Sequence, residues 1–199
     1  GDDGGFIYTP ATSPNPEKIE AGQAGAESKA GSVELADGRS GLRSYGSMTY
    51  AGFKSYLYSG LTMDDPRVRD AFEWTTENYT LKQNPGMPEP QKLQGLYYYY
   101  HTFARALAAS GKDHIQTPDG TKHNWREDLI NELAAGQLED GSWVNQADRW
   151  NEGAPSLVTC YVLLALHETL EGVSADSDLL SEQTRAKANA MIAKANDFL

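Results

Sequence analysis

The chain has 199 residues, 17 of them basic and 28 acidic, for a formal net charge of −11, and it contains one cysteine, Cys160. That length supports one domain with a real core, the acidity disfavours nucleic-acid binding and a polybasic membrane patch, and a lone cysteine excludes an internal disulfide and a thiolate metal cluster. No apolar run reaches the roughly 20 residues of a membrane span; the longest, 157–166, suits a buried helix, with Cys160 expected in the core.

Residues 1–45 carry no helical period. The chain opens Gly1-Asp2-Asp3-Gly4-Gly5 rather than with methionine, nine of its 19 glycines lie in the first 46 residues, and Pro10, Pro14 and Pro16 punctuate the segment. This composition predicts an irregular stretch, and the opening predicts either a removed leader or a fragment of a longer protein.

From Gly46 the pattern turns helical. Residues 47–59 bring Met48, Tyr50, Phe53, Tyr56 and Leu57, apolar around most of the circumference. Asp65-Pro66 is a start signal, an acidic cap before a proline at the first helical position. Val68, Phe72, Thr75 and Tyr79 then recur on one face, until Asn84-Pro85-Gly86 ends the helix. A third helix over 95–110 enters through four consecutive tyrosines, Tyr97 to Tyr100. After a polar, turn-like stretch, Asn124 with Glu127 reads as a capping box for a fourth helix striped by Trp125, Leu129, Ile130 and Leu133. Pro155 opens a fifth, apolar all round to Leu170, and a sixth begins near Asp178. The expected fold is all-α without strands. Alternation of all-round apolar and amphipathic helices predicts an inner and an outer layer.

The inner helices open alike: Met48-Thr49-Tyr50, Tyr99-Tyr100-His101 and Val158-Thr159-Cys160. Their spacing of about 50 to 60 residues fits helix-pair repeats. A loop signature separates the pairs. Gln137-Leu138-Glu139-Asp140-Gly141-Ser142-Trp143 is its fullest copy, Gln83-Asn84-Pro85-Gly86 is degenerate, and Asp3-Gly4-Gly5-Phe6 aligns with Asp140-Gly141-Ser142-Trp143. Glycine permits a sharp turn at a helix end, the aromatic is expected to pack back on the outer layer, and glutamine to tie exposed helix-end groups.

Gln137-x3-Gly141-x-Trp143 resembles the QW motif of the squalene cyclase and prenyltransferase repeat family. Leu61-Thr62-Met63-Asp64-Asp65-Pro66-Arg67-Val68 and Leu157-Val158-Thr159-Cys160-Tyr161 resemble its outer- and inner-helix starts. The resemblance implies an α/α toroid of inner and outer helices. The three pairs of residues 46–199 would form about half a ring, and residues 1–45 the tail of a preceding repeat with its irregular crossing. The implied partner is the missing N-terminal half of the toroid or another protein chain, and the implied ligand an isoprenoid or lipid.

The chemistry of that family is only partly represented. The acidic Asp-x-Asp-Asp of the cyclases is absent, and Asp64-Asp65 reads as a helix cap. Val158 stands where the resemblance places a zinc-ligating Asp or His, and zinc needs about three protein ligands; neither metal nor cofactor is expected. The thioester Cys-Gly-Glu-Gln of the complement proteins is also absent. What remains is an aromatic cluster at the inner-helix starts. Tyr45, Tyr50, Tyr97, Tyr100, His101, Trp150 and Thr159 are the candidate ligand-binding residues, and His101, Glu152 and Asp148 the candidate acids or bases. Three functions are open: a toroid domain binding an apolar isoprenoid-type ligand, a non-catalytic interaction toroid, or a carbohydrate-active (α/α) enzyme working through Asp148 and Glu152. The resemblance carries a bacterial setting, and a removed export signal would place the protein in the periplasm.

Overall fold

The structure, a computed structural model, describes residues 3–8, 27–34, 38–174 and 177–199. These residues are mainly helical. The helices are α1 (Gly46–Tyr58), α2 (Pro66–Glu77), α3 (Leu96–Ser110), α4 (Trp125–Gly136), α5 (Pro155–Leu170) and α6 (Glu182–Phe198), with a single 3₁₀ turn at Glu89–Gln91. The expectation of no strands is corrected by two short antiparallel ladders, β1 (Ser32–Glu34) with β2 (Ser40–Leu42) and β3 (Ile115–Gln116) with β4 (Lys122–His123). Strands of two or three residues are too short to display period-two alternation. The second ladder is nucleated by its turn. Asp119 Oδ1 accepts from Thr117 Oγ1 at 2.6 Å and from the Thr121 N–H at 2.9 Å, and Gly120 takes φ +88°.

The local signals place the helices. Asp65 Oδ1 accepts from the Arg67 N–H at 2.9 Å and starts α2. Asn124 accepts from the Glu127 N–H at 3.4 Å and starts α4. Ser181 accepts from the Thr184 N–H at 3.1 Å and starts α6, a few residues later than the apolar pattern alone indicates. Helix α1 packs on α3 and α3 on α5, forming one layer; α2 flanks α1, α4 flanks α3 and α5, and α6 flanks α4 and α5. Phe53, Phe103, Leu107, Leu129, Leu133 and Val162 are fully or almost fully buried between the layers; each such side chain contributes about 1.5–3 kcal/mol of burial. Helix α5 is not covered all round, since Cys160, Leu164 and His167 face outward. The expectation that Cys160 is a core residue is therefore corrected: it is exposed. The apolar run gave no means of telling which stripe of α5 lacks a neighbour.

The loop signature is repeated at atomic detail in its first and last copies. Asp3 Oδ1 accepts from the Gly5 N–H at 3.1 Å, and Asp140 Oδ1 accepts from the Ser142 N–H at 3.0 Å. Gly4 and Gly141 are both left-handed, at φ +78° and +93°. A Cβ on Gly4 would lie 2.5 Å from the Asp70 carbonyl oxygen of α2, and one on Gly141 would lie 2.3 Å from the Lys194 carbonyl oxygen of α6, so each turn abuts a flanking helix too closely for any other residue. The following aromatic then donates its backbone N–H to a threonine of the next helix: Phe6 to Thr49 Oγ1 of α1 at 3.0 Å, and Trp143 to Thr159 Oγ1 of α5 at 3.3 Å. Gln137 Nε2 donates to the Gly141 carbonyl at 2.9 Å and the Met191 carbonyl at 3.1 Å, fastening the turn to α6. The fully buried Trp143 indole donates to the Leu133 carbonyl near the end of α4 at 2.8 Å.

Candidate functional site

The N-terminal parts of α1, α3 and α5 border a cavity of about 370 Å³. Ser47 and Met48 of α1, Tyr98 of α3 and Tyr161 of α5 form its walls, with Tyr45 and Gly95 at the helix entrances. Tyr8 and Lys29 reach it from the N-terminal segment, and Trp150 and Glu152 from the loop between α4 and α5. Five aromatic rings thus surround one space.

That loop is shaped for the task. Trp150 and Asn151 both sit in the left-handed region, at φ 59° and 65°, a conformation that costs a non-glycine residue on the order of 1 kcal/mol. The turn aims the Trp150 ring over Gly95, where a Cβ would lie 2.9 Å from the indole; Gly95 is itself left-handed at φ +67°. The indole also carries the Arg149 guanidinium, 4.5 Å from the ring centroid. Arg149 Nη1 donates to the Gln94 side-chain oxygen at 2.7 Å. Asp148, exposed, accepts from the Gly153 N–H at 2.8 Å and so closes the same turn.

Glu152 is almost completely buried and fully engaged. Its Oε1 accepts from the Tyr98 N–H at 2.8 Å; its Oε2 accepts from Asn145 Nδ2 at 2.7 Å and from the Tyr97 N–H at 3.3 Å. The carboxylate therefore caps the N-terminus of α3, where the helix dipole favours negative charge. Burial pushes its pKa upward, opposed by the Asn145 amide and the backbone donors. Helix α1 is capped the same way: Asn84 Oδ1 accepts from the Ser47 N–H at 3.1 Å, and Asn84 Nδ2 donates to Ser47 Oγ at 3.1 Å. In both cases the cap comes from the loop after the next helix in the chain, Asn84 after α2 and Glu152 after α4.

His101 lies one turn beyond Tyr98. Its ring stacks on Tyr161, with centroids 5.9 Å apart and planes 19° off parallel, and its Nδ1 is buried without a partner among the described residues. Burial, helped by the positive charges of Lys54 and Arg105, pulls its pKa down to about 4, so the imidazole is neutral near pH 7.

Of the residues named from sequence, the cavity brings together Tyr45, Trp150 and Glu152. His101 supports its wall through Tyr161, and Asp148 braces its loop. The others serve the core. Tyr50 packs on Tyr99 and Phe103, Tyr97 edges onto Tyr100, the Tyr100 hydroxyl donates to the Leu81 carbonyl at 2.6 Å, and Thr159 receives the Trp143 N–H. Among the four tyrosines it is Tyr98 that faces the cavity. The signal was its i,i+3 spacing to His101, but choosing that face needed the position of α5, which supplies Tyr161. Tyr8 and Lys29 come from the irregular N-terminal segment and had no sequence signal. His123 rests on the Tyr79 ring, with centroids 4.3 Å apart and Nδ1 3.0 Å from Asp128 Oδ2.

No group of three or more metal-ligating side chains occurs among the described residues, and no described helix is long and apolar enough to cross a membrane. No family model matches the chain, and no curated protein or solved structure matches it either.

Proposed function

We propose that the chain is part of an α/α toroid of the squalene cyclase and prenyltransferase kind whose role is to bind, rather than transform, a small ligand with an apolar, isoprenoid-like body. The aromatic cavity carries this reading: five rings and Met48 give a largely apolar lining around about 370 Å³, within the range of small-molecule sites of about 300–1,000 Å³. Catalysis is disfavoured by the state of the candidate acids and bases. Both oxygens of Glu152 are spent on helix and amide donors, Asp148 is tied to its own turn, and His101 faces Tyr161 rather than open space. The repeated turn geometry of the first and third pairs supports a repeat architecture.

Titration with farnesol, followed by tryptophan fluorescence, tests the reading. Trp150 is the exposed member of the chain's four tryptophans, so binding quenches or shifts its emission, and Trp150→Phe abolishes the response. Absence of any response, together with an unchanged melting temperature, would refute it.

One observation favours a second role. Helix α5 presents Cys160 and Leu164, the latter 44 % exposed, on the face away from α3. That face suits a further helix pair, from the rest of a toroid or from another chain. Leu164→Glu would then abolish association of this chain with its partner without lowering its own stability.

A further inference from the structure

The cavity's hydrogen-bonding capacity is lopsided. Three core tyrosines are satisfied, Tyr99 donating to the Thr80 carbonyl at 2.7 Å, Tyr100 to the Leu81 carbonyl at 2.6 Å and Tyr79 to Asp128 at 2.8 Å, while the buried Tyr50 hydroxyl has no partner among the described residues. By contrast, no group among the described residues hydrogen-bonds the hydroxyls of the cavity tyrosines Tyr45, Tyr98 and Tyr161. Tyr98 neighbours both of the others, with its ring 5.7 Å from that of Tyr161 and its hydroxyl in electrostatic range of Tyr45. All three phenols are held above their ordinary pKa, chiefly by burial, and so remain protonated donors. The side-chain acceptors in the lining are already used. Glu152 is saturated by its three donors, and Ser47 Oγ accepts from Asn84.

Charge points the same way. Lys29 lines the cavity but is paired with Glu27. Arg149, close enough to act on the Tyr45 hydroxyl, pairs with an amide oxygen and with no carboxylate among the described residues. Glu152 is offset in part by the N-terminus of α3, and its charge still reaches the Tyr161 hydroxyl. Among the described residues, Arg149 is thus a cation without a carboxylate partner near the Tyr45 hydroxyl, on which Glu27 also acts, in a chain of net charge −11. A single negative charge is matched there, whereas a doubly or triply charged head group would meet the field of the whole chain.

Resting on the binding role proposed above, we propose that the ligand is a monocarboxylate: its apolar body lies against the Trp150 and Tyr8 rings, and its carboxylate accepts hydrogen bonds from Tyr45, Tyr98 and Tyr161. Hydrogen bonds to a charged acceptor are stronger than neutral ones, so the head group rather than the chain sets the preference.

Calorimetric titration of the chain with decanoate, 1-decanol and decyl phosphate, at about pH 7.5 where the carboxylate is ionised, separates the two claims. Decanoate should bind at least about ten-fold more tightly than decanol. Tyr98→Phe keeps the ring and removes one donor, and it should weaken decanoate about ten-fold more than it weakens decanol. Tyr161→Phe should do the same, and a circular dichroism spectrum equal to that of the parent shows that each variant is folded. Equal affinity for decanoate and decanol would overturn the carboxylate assignment while leaving the apolar binding role in place. Tighter binding of decyl phosphate would overturn the single-charge assignment. Binding of none of the three would overturn both readings.

Discussion

Removing the carboxylate of Glu152 should unfasten α3. The side chain is 1 % exposed and accepts from two backbone N–H groups of the first helical turn and from Asn145. In Glu152→Ala, Asn145 Nδ2 keeps its bond to the Leu93 carbonyl at 2.6 Å, but the Tyr97 and Tyr98 N–H groups lose their acceptor. Each unsatisfied buried donor costs about 1–3 kcal/mol, and loss of a charge at a helix N-terminus adds about 0.5–1 kcal/mol. Water entering from the adjacent cavity relieves part of this, leaving about 3 kcal/mol. For a chain of this length that is a drop of about 6–12 °C in melting temperature. Glu152→Gln retains one acceptor but sets an amide N–H against a helix N–H, and should cost about half as much. Thermal unfolding followed at 222 nm measures both. Hydrogen exchange locates the effect, with protection lost at residues 97 and 98 before it is lost at Phe103. A melting temperature for Glu152→Ala within about 2 °C of the parent would refute the capping role.

Other perturbations follow from the same contacts. Trp143→Ala removes a fully buried indole and its bond to the Leu133 carbonyl and should cost about 3–5 kcal/mol in denaturant unfolding, against about 1–2 for Trp143→Phe. Gly141→Ala should destabilise more than Gly120→Ala by about 1–3 kcal/mol, because both are left-handed but only Gly141 faces a backbone oxygen, at 2.3 Å. His101 makes the fold acid-sensitive. Its native pKa of about 4 lies below the unfolded value of 6.5, so the unfolded chain takes up the proton first. Its contribution is complete above pH 6.5 and is lost as pH falls toward about 4. Partial exposure discounts this to about 1–2 kcal/mol, and His101→Phe should flatten that part of a stability-against-pH curve. Cys160, exposed on α5, should react with a thiol reagent in the folded state at a rate close to that in denaturant.

The helices were legible because their start signals are local. Asp65-Pro66, Asn124 and the apolar stripes act within a turn or two of chain, and the structure sets α2 and α4 where those signals stand. The Asp-Gly turns were legible for the same reason, since the Asp side chain reaches only two residues on. What was not legible depends on distant neighbours. Glu152 looked like a free acid because its partners, the Tyr97 and Tyr98 N–H groups, lie more than 50 residues earlier in the chain. Tyr97 and Tyr100 stand among the binding residues named from sequence and Tyr98 does not, because only the position of α5 fixes which side of α3 borders the cavity. Cys160 sits in an apolar run whose composition cannot reveal that one stripe lacks a neighbour.

The borrowed caps of α1 and α3 have a consequence for how such a chain can be shortened, duplicated or recombined. Because Asn84 follows α2 and Glu152 follows α4 in the sequence, yet they secure α1 and α3, each helix pair and the loop that fastens it are out of step along the chain. A cut made neatly at the end of α2 or α4 removes the fastening of the pair it was meant to preserve. A viable exchange of modules must carry the trailing loop with it, and in the case of α4 that loop also brings a wall of the cavity, so stability and ligand preference would be inherited together.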